Sequence, residues 1–343
     1  MRLLLVAATV CLRSTPEIPA GLDYHRRSMA SSSLRPLHLG ELIDRSVRLW
    51  RTHLWPLVRT MLPFALTAHL LAVIANSLIA TDYEALIEAG AIGELLSSLA
   101  GGFGLFFLGS CISWFGQLVV ARELLPRVTG REVVAEKGRA LAMRSTQQLL
   151  LLLGVFALGS LAIMAPTMLL LVPIGMLTRS SGFSLPIVPL VLVMILGFLL
   201  WVAFALWWML RSSMALPVVA AERAGTWTLF KRGGALLRGR VGPGFLGRSQ
   251  VRAAIVFTVV SILGTITQFV AAIPRFALEG VYFEDGGGPV QIPWLWRIPA
   301  ELMVAGGQAL FGPLVVAGCV LFYVDQRVRR EGLDLELALE RIP

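Results

Sequence analysis

Long apolar stretches separated by short charged connections dominate the pattern of this chain. Six windows contain no Asp, Glu, Lys or Arg, and each is 22 to 34 residues long. A helix needs about 20 consecutive apolar residues to cross a hydrocarbon layer about 30 Å thick. The pattern therefore predicts an all-α protein, a polytopic six-span transmembrane helical bundle with spans at about 60–81, 95–121, 148–177, 186–210, 253–274 and 302–324.

A shorter amphipathic helix is predicted before the first span, between Leu39 and Leu54. Its apolar residues recur at helical spacing and form one stripe, and charged residues occupy the other side, with acidic and basic side chains four positions apart. Such a helix either lies in the membrane interface, with Trp50 at the depth of the headgroups, or packs on the ends of the bundle. Both alternatives stay open at this point.

Three regions follow from these patterns. Residues 1–34 are predicted to be an extension, either disordered or the result of a misassigned translation start, because Met29 opens a polar run just before the amphipathic helix. Residues 35–337 are predicted to be the six-span membrane domain. Residues 325–343, which overlap its end, are predicted to form a charged tail.

The basic residues are distributed unevenly between the connections. The chain has 30 Lys+Arg against 21 Asp+Glu, and 27 of these basic residues lie before the first span, in the second and fourth connections or after the last span. Because Lys and Arg are retained on the cytoplasmic side during insertion, both termini are predicted to be cytoplasmic. The net charge of +9 then favours anionic phospholipids of the inner leaflet as partners. No nucleic-acid motif accompanies it, so nucleic acid is not an expected partner.

A surface that binds anionic lipid or a protein partner is predicted from the basic residues of the cytoplasmic segments. The stretch from Trp227 to Val241 indicates a short basic amphipathic helix, with Trp227 and Leu237 on its apolar side, and a Gly-Pro-Gly turn ends it. The predicted surface consists of Arg45, Arg48, Lys137, Arg139, Lys231, Arg232, Arg238 and Arg240.

His69 is the only His, Asp, Glu, Lys or Arg inside the apolar windows. With Gln117, Gln268 and Gln308 it forms either a polar path for a solute or hydrogen bonds that join helices. Since no carboxylate lies within a window, a proton-coupled pump lacks its usual relay. Pro63 and Pro313 are expected to kink or interrupt the first and sixth spans.

Motifs for metal or cofactor binding are missing from the sequence. The three Cys and four His show no CxxC, HExxH or similar ligand spacing, and no Walker loop, GxGxxG or GxSxG occurs. No cofactor, metal site or catalytic residue is therefore predicted. Glu222, next to the fourth span, would need another acid or a His from elsewhere in the fold to act as an acid or base.

Two ends of the chain resemble one protein family. The run Arg35-Pro36-Leu37-His38-Leu39-Gly40-Glu41-Leu42-Ile43-Asp44-Arg45 and the run Tyr323-Val324-Asp325-Gln326-Arg327-Val328-Arg329-Arg330-Glu331-Gly332 are similar to the opening and closing signatures of the bacterial membrane domain of glycerophosphoryl diester phosphodiesterase. The resemblance implies a multi-pass protein of the bacterial inner (cytoplasmic) membrane. The catalytic barrel of that enzyme has no counterpart motif here, so phosphodiesterase activity is not expected.

The two signatures are also expected to meet in the fold. Both are predicted on the cytoplasmic surface, so Glu41 and Asp44 are expected to pair with Arg327, Arg329 or Arg330. The residues that carry the resemblance are Arg35, Pro36, Gly40, Glu41, Asp44, Tyr323, Asp325, Arg327, Arg330, Glu331 and Gly332.

Three functions are compatible with these patterns. The leading hypothesis is a non-enzymatic scaffold or regulator whose cytoplasmic face binds anionic lipid or a partner. The first alternative is a transporter or channel for a small or lipid-like solute that uses the polar path. The second alternative is an interfacial lipid-modifying enzyme that uses Glu222.

Overall fold

The computed structural model describes residues 35–79, 92–130, 143, 146–163, 166, 187–222, 226–281 and 293–339. Their regular structure is helical, apart from one isolated antiparallel bridge between Arg240 and Arg248. We number the helices of these residues α1 (Leu39–Thr52), α2 (Leu54–Ile79), α3 (Ile92–Thr129), α4 (Thr146–Ile163), α5 (Ile187–Ser213), α6 (Ala215–Ala221), α7 (Thr226–Leu237), α8 (Ser249–Val281), α9 (Trp294–Glu331) and α10 (Leu333–Leu339), with a 3-10 turn at Phe245–Gly247.

The prediction of a six-span, all-α bundle is confirmed. Helices α2, α3, α4, α5, α8 and α9 each contain a stretch long and apolar enough to cross a membrane, so the chain is a multi-pass membrane protein. The third span is described as helix only over 146–163, and most of the rest of its predicted range lies outside the described residues. The sixth span is longer than predicted, because α9 continues through the charged segment 325–331.

Helix α9 is the centre of the bundle. In its most apolar window 72% of the residues are buried inside the protein, against 11% in α5, so α5 lies at the periphery. Helices α2, α3 and α8 pack around α9. Glycines permit this close approach, since a Cβ built on Gly307 would lie 2.5 Å from the Cβ of Ala271 on α8. Small residues of this kind are how membrane helices gain dispersion contacts without a hydrophobic driving force.

Helices α2 and α3 form the closest pair. The ring of Phe64 meets that of Phe115 edge to face, with 5.7 Å between the centroids. A Cβ on Gly116 would lie 2.7 Å from the Cβ of Phe64, which leaves no room for a side chain at that position. The expected interruptions at Pro63 and Pro313 do not occur, because α2 and α9 continue through these residues.

The amphipathic helix before the first span runs from Leu39 to Thr52, and it packs on the bundle. Its buried residues Leu42 and Ser46 face the core. The indole N–H of Trp50 donates to the carbonyl of Leu310 in α9 at 2.8 Å. Contacts between this part of the chain and α9 extend from residue 325 to residue 310, which spans about 22 Å at 1.5 Å per residue. The helix therefore packs along α9 of the bundle.

Helix α7 also packs on the bundle. Leu229, Leu236 and Leu237 are buried against the core, whereas Trp227 is 56% exposed. Trp227 and Leu237 were expected to share one apolar face. This expectation is wrong, because Leu237 packs against the bundle whereas Trp227 is exposed. The helix ends at Leu237, earlier than predicted, and the chain turns at Gly239 with a φ of 98°, a conformation that glycine adopts without strain.

Candidate functional site

Asp325 is the centre of a charged network at one end of the bundle, and its side chain is fully buried. It accepts a hydrogen bond from the backbone N–H of Leu37 at 2.8 Å and two from Nε of Arg329 at 2.9 and 3.0 Å. Arg252 of α8 lies 3.7 Å away. The two arginines also donate to the carbonyl of Leu37, at 2.6 and 2.8 Å. Both polar groups of the Leu37 backbone are thus held by side chains of α8 and α9.

Arg330, one residue further along α9, holds the turn that follows α7. Its guanidinium donates to the carbonyl of Ala235 at 2.8 Å, to the hydroxyl of Ser249 at 2.9 Å and to the carbonyl of Arg238. Carbonyls at a helix C-terminus have no partners inside their own helix. Arg330 therefore caps the end of α7 and ties it to α8 and α9.

A second group of ion pairs surrounds Arg232 of α7. This guanidinium lies 3.3 Å from Glu222 and 2.5 Å from Glu331. The hydroxyl of Tyr323 donates to Glu222 at 3.1 Å, and Arg327 lies 2.9 Å from Glu331. Although burial lowers the pKa of Arg232, the two carboxylates outweigh it and raise that pKa above its usual value. Glu222 is thus bound to a cation and a phenol, which is the geometry of a structural ion pair.

The charged residues of α1 pair with their own neighbours. Glu41 contacts Arg45 at 2.9 Å and Arg35 at 3.1 Å, and Asp44 contacts Arg48 at 2.8 Å. Partial burial raises the pKa of Glu41, but the two arginines outweigh it, so this pKa is lowered. The expected pairing of Glu41 and Asp44 with the arginines of α9 is therefore wrong. Arg45 and Arg48 each lie four residues after their acid, a spacing at which side chains on one helix face meet.

The two signatures do meet, but through the backbone of Leu37 and the side chain of Asp325. Pro36 and Gly40 are exposed, and no heavy atom lies within 4 Å of a Cβ built on Gly40. Gly332 ends α9 in the left-handed region, with a φ of 62°, where a glycine C-terminal to a helix is usual. The sequence correctly predicted that the two signatures meet, but the partners it suggested are wrong.

A group of cations at the same end of the protein has no acidic partner among the described residues. Arg232, expected at the lipid surface, instead forms ion pairs with Glu222 and Glu331. Lys137 and Arg139, also expected there, lie outside the described residues. The cations of segment 226–248 that are exposed and have no acidic partner within the described chain are Lys231, Arg238, Arg240 and Arg248. We call this segment the basic segment.

A cavity of about 560 Å³ lies among α2, α3, α4, α5 and α9. Three of the four residues of the predicted polar path line it, namely His69, Gln117 and Gln308. Gln268 is exposed on α8 and is not among the lining residues. Gln308 donates to the hydroxyl of Ser113 at 3.2 Å, so it also joins α9 to α3.

His69 has a carboxylate partner that the window analysis missed. Its ring Nε2 is hydrogen-bonded to Glu301 of α9, and Arg275 of α8 lies 3.6 Å from the same carboxylate. Both members of the pair are largely buried. Glu301 directly precedes the charge-free window 302–324. Extending that window by one residue would have identified this carboxylate from the sequence. The absence of a carboxylate from the windows therefore does not mean that no carboxylate is buried, and the expectation that a proton relay lacks a buried acid is wrong.

Within the described part of the chain, no group of three or more His, Cys, Asp or Glu side chains is placed to hold a metal ion. Comparison of the chain with protein-family models, curated proteins and solved structures gives no match. The resemblance to the glycerophosphoryl diester phosphodiesterase membrane domain therefore stays a prediction.

Proposed function

We propose that the protein is a scaffold or regulator of a bacterial inner membrane and that the basic segment binds anionic phospholipid on the cytoplasmic side. The single observation that carries the proposal is the division of the cations. Arg252, Arg329, Arg330 and Arg232 satisfy internal acids and carbonyls, whereas the exposed cations of the basic segment have no such partner in the described chain.

The exposed cations are accompanied by exposed aromatic rings. Trp227 and Lys231 lie one helical turn apart, with the ammonium 5.7 Å from the indole centroid. Phe245 is 68% exposed, and the guanidinium of Arg248 lies 5.8 Å from its ring. Aromatic rings favour the headgroup region of a bilayer, and cations beside them favour anionic headgroups. The combination is typical of a membrane-interface surface.

The energy available to such a surface is sizeable. Each Lys or Arg close to an anionic membrane surface contributes about 1 kcal/mol. Four exposed cations would therefore contribute roughly 4 kcal/mol, which corresponds to a preference for anionic over neutral lipid of about a thousandfold. Salt would weaken this preference, because exposed charges are screened.

Native mass spectrometry of the full chain, with phosphatidylglycerol and phosphatidylcholine added separately, tests the proposal. The variant Arg238→Gln/Arg240→Gln is expected to bind phosphatidylglycerol roughly 30-fold more weakly. The matched control is Arg35→Gln/Arg48→Gln, which also removes two positive charges, but from arginines that already pair with acids. Equal losses in both variants, or no loss in the first, would contradict the proposal.

The orientation has its own test. With the basic segment in the cytoplasm, the positive-inside bias requires both termini on that side. Reporter fusions at residues 35 and 343 are expected to show cytoplasmic activity only. A periplasmic signal at either end would place the basic segment on the wrong side for inner-leaflet lipid.

A further inference from the structure

The cavity among α2, α3, α4, α5 and α9 has two chemically different walls. One wall, from α2, α3 and α9, carries polar side chains, and the other, from α4 and α5, is mainly hydrocarbon and aromatic. The polar residues of the first wall are His69, Ser110, Ser113, Gln117 and Gln308. The second wall includes Leu149, Leu152, Leu153, Phe156, Trp208 and Met209, with Ser212 as its polar residue among those described. We propose that this cavity binds an uncharged, single-chain amphiphile, such as a long-chain alcohol or ester.

Several hydrogen-bonding groups of the polar wall have no partner among the described residues and are available to such a ligand. The side-chain amide of Gln117 has no hydrogen-bond partner in the described chain. The hydroxyl of Ser113 accepts from Gln308, and its own hydrogen remains available to donate. Trp114 lines the same wall, and its buried indole N–H has no acceptor among the described residues. Unsatisfied polar groups at membrane depth are costly, and a head group with hydroxyl or carbonyl oxygens would satisfy them.

The charges around the cavity favour an uncharged head group. His69 is the one titratable side chain among the described residues that line the cavity, and it is already hydrogen-bonded to Glu301. Glu301 in turn lies 3.6 Å from Arg275. Among the described residues that line the cavity there is no Lys or Arg. A phosphate would therefore enter without a counter-charge, and burying an unpaired charge is unfavourable by far more than burying a hydroxyl.

The size of the cavity favours one chain. At about 30 Å³ for a group the size of a water molecule, a volume of about 560 Å³ holds roughly 20 non-hydrogen atoms. A single chain of medium length with a small head group has this size, whereas a phospholipid with two acyl chains is more than twice as large. The volume also lies within the range typical of small-molecule sites.

The cavity shares no residue with the basic segment, so this proposal and the proposed scaffold function stand or fall separately. Photo-crosslinking of the full chain in phosphatidylcholine nanodiscs tests it. The probes are a monoacylglycerol with a diazirine in its chain and the phosphate monoester of the corresponding long-chain alcohol. We expect the monoacylglycerol to label α4 and α5, with excess unlabelled monoacylglycerol suppressing the signal, and the phosphate probe to label them at least tenfold less.

Two pairs of variants locate the site. Ala205→Phe adds bulk at the cavity wall and is expected to abolish the competable labelling, whereas Leu206→Phe, one residue along α5 and exposed, leaves it unchanged. Gln117→Leu is expected to weaken labelling roughly three- to tenfold, and Gln268→Leu, an exposed glutamine outside the cavity, leaves it unchanged.

Three results would overturn the proposal. The first is equal labelling of α4 and α5 by the phosphate probe. The second is labelling that excess competitor does not suppress, which would indicate ordinary contact with bulk lipid. The third is equal behaviour of Gln117→Leu and Gln268→Leu, and this conservative pair decides the question even if Ala205→Phe does not fold.

Discussion

Replacing Asp325 with Asn is expected to destabilise the protein more than any exchange of an exposed acid. The substitution keeps an oxygen that accepts from the N–H of Leu37, but it removes the charge that faces Arg329 and Arg252. It also turns an amide N–H₂ toward a guanidinium. The change therefore isolates the loss of charge from the loss of side-chain volume.

The magnitude follows from burial. The side chain of Asp325 is fully buried, and Arg329 and Arg252 are mostly so. Removing one partner of a buried ion pair leaves an uncompensated charge and costs about 3 to 5 kcal/mol. Asp44→Asn is the matched control, because it breaks a pair with Arg48 whose side chains are 64% and 75% exposed. Exposed pairs of this kind contribute under about 1 kcal/mol.

Reversible unfolding by SDS in mixed micelles measures both variants on one scale. We expect Asp325→Asn to lose about 3 kcal/mol of unfolding free energy and Asp44→Asn less than about 0.5 kcal/mol. The double variant Asp325→Asn/Arg329→Gln is expected to lose less than the sum of its single changes, since the partners interact directly. Equal losses for Asp325→Asn and Asp44→Asn would refute the buried network as a stabilising element.

Three further predictions concern packing, docking and pH. Gly116→Ala is expected to lose about 1 to 3 kcal/mol by overpacking against Phe64, whereas Gly104→Ala, with no heavy atom within 4 Å of its Cβ, leaves thermal stability unchanged; equal melting shifts would contradict this packing. Trp50→Phe keeps the aromatic ring but removes the N–H that donates into α9, and is expected to lose about 1 kcal/mol in SDS unfolding. Because the pKa of Glu41 is lowered below its ordinary value of 4.5, its contribution is complete above that value and is lost as pH falls through the lowered pKa. The stability difference between wild type and Glu41→Gln should therefore shrink as the pH falls below 4.5, and a difference that grows there would contradict the lowered pKa.

The cavity and the His69–Glu301 pair show where sequence reasoning reaches its limit. His69 was recognisable as a candidate because a single titratable residue within an apolar window is unusual. Its partner lies 232 residues away along the chain, and only the register between α2 and α9 brings the two together. Gln268 and Gln117 have the same chemistry in sequence, yet one is exposed on α8 and the other lines the cavity.

The sequence alone determined that the chain forms six apolar helices and a helix at the first signature. Transfer into a bilayer depends on the hydrophobicity of each segment separately, and each helix satisfies its own backbone hydrogen bonds. Only the tertiary structure decided that α9 is central, that Asp325 holds Leu37 and that Arg232 pairs with Glu222 and Glu331. These outcomes depend on the rotation and register of helices that are distant in the chain, and a linear pattern of polar and apolar positions contains neither.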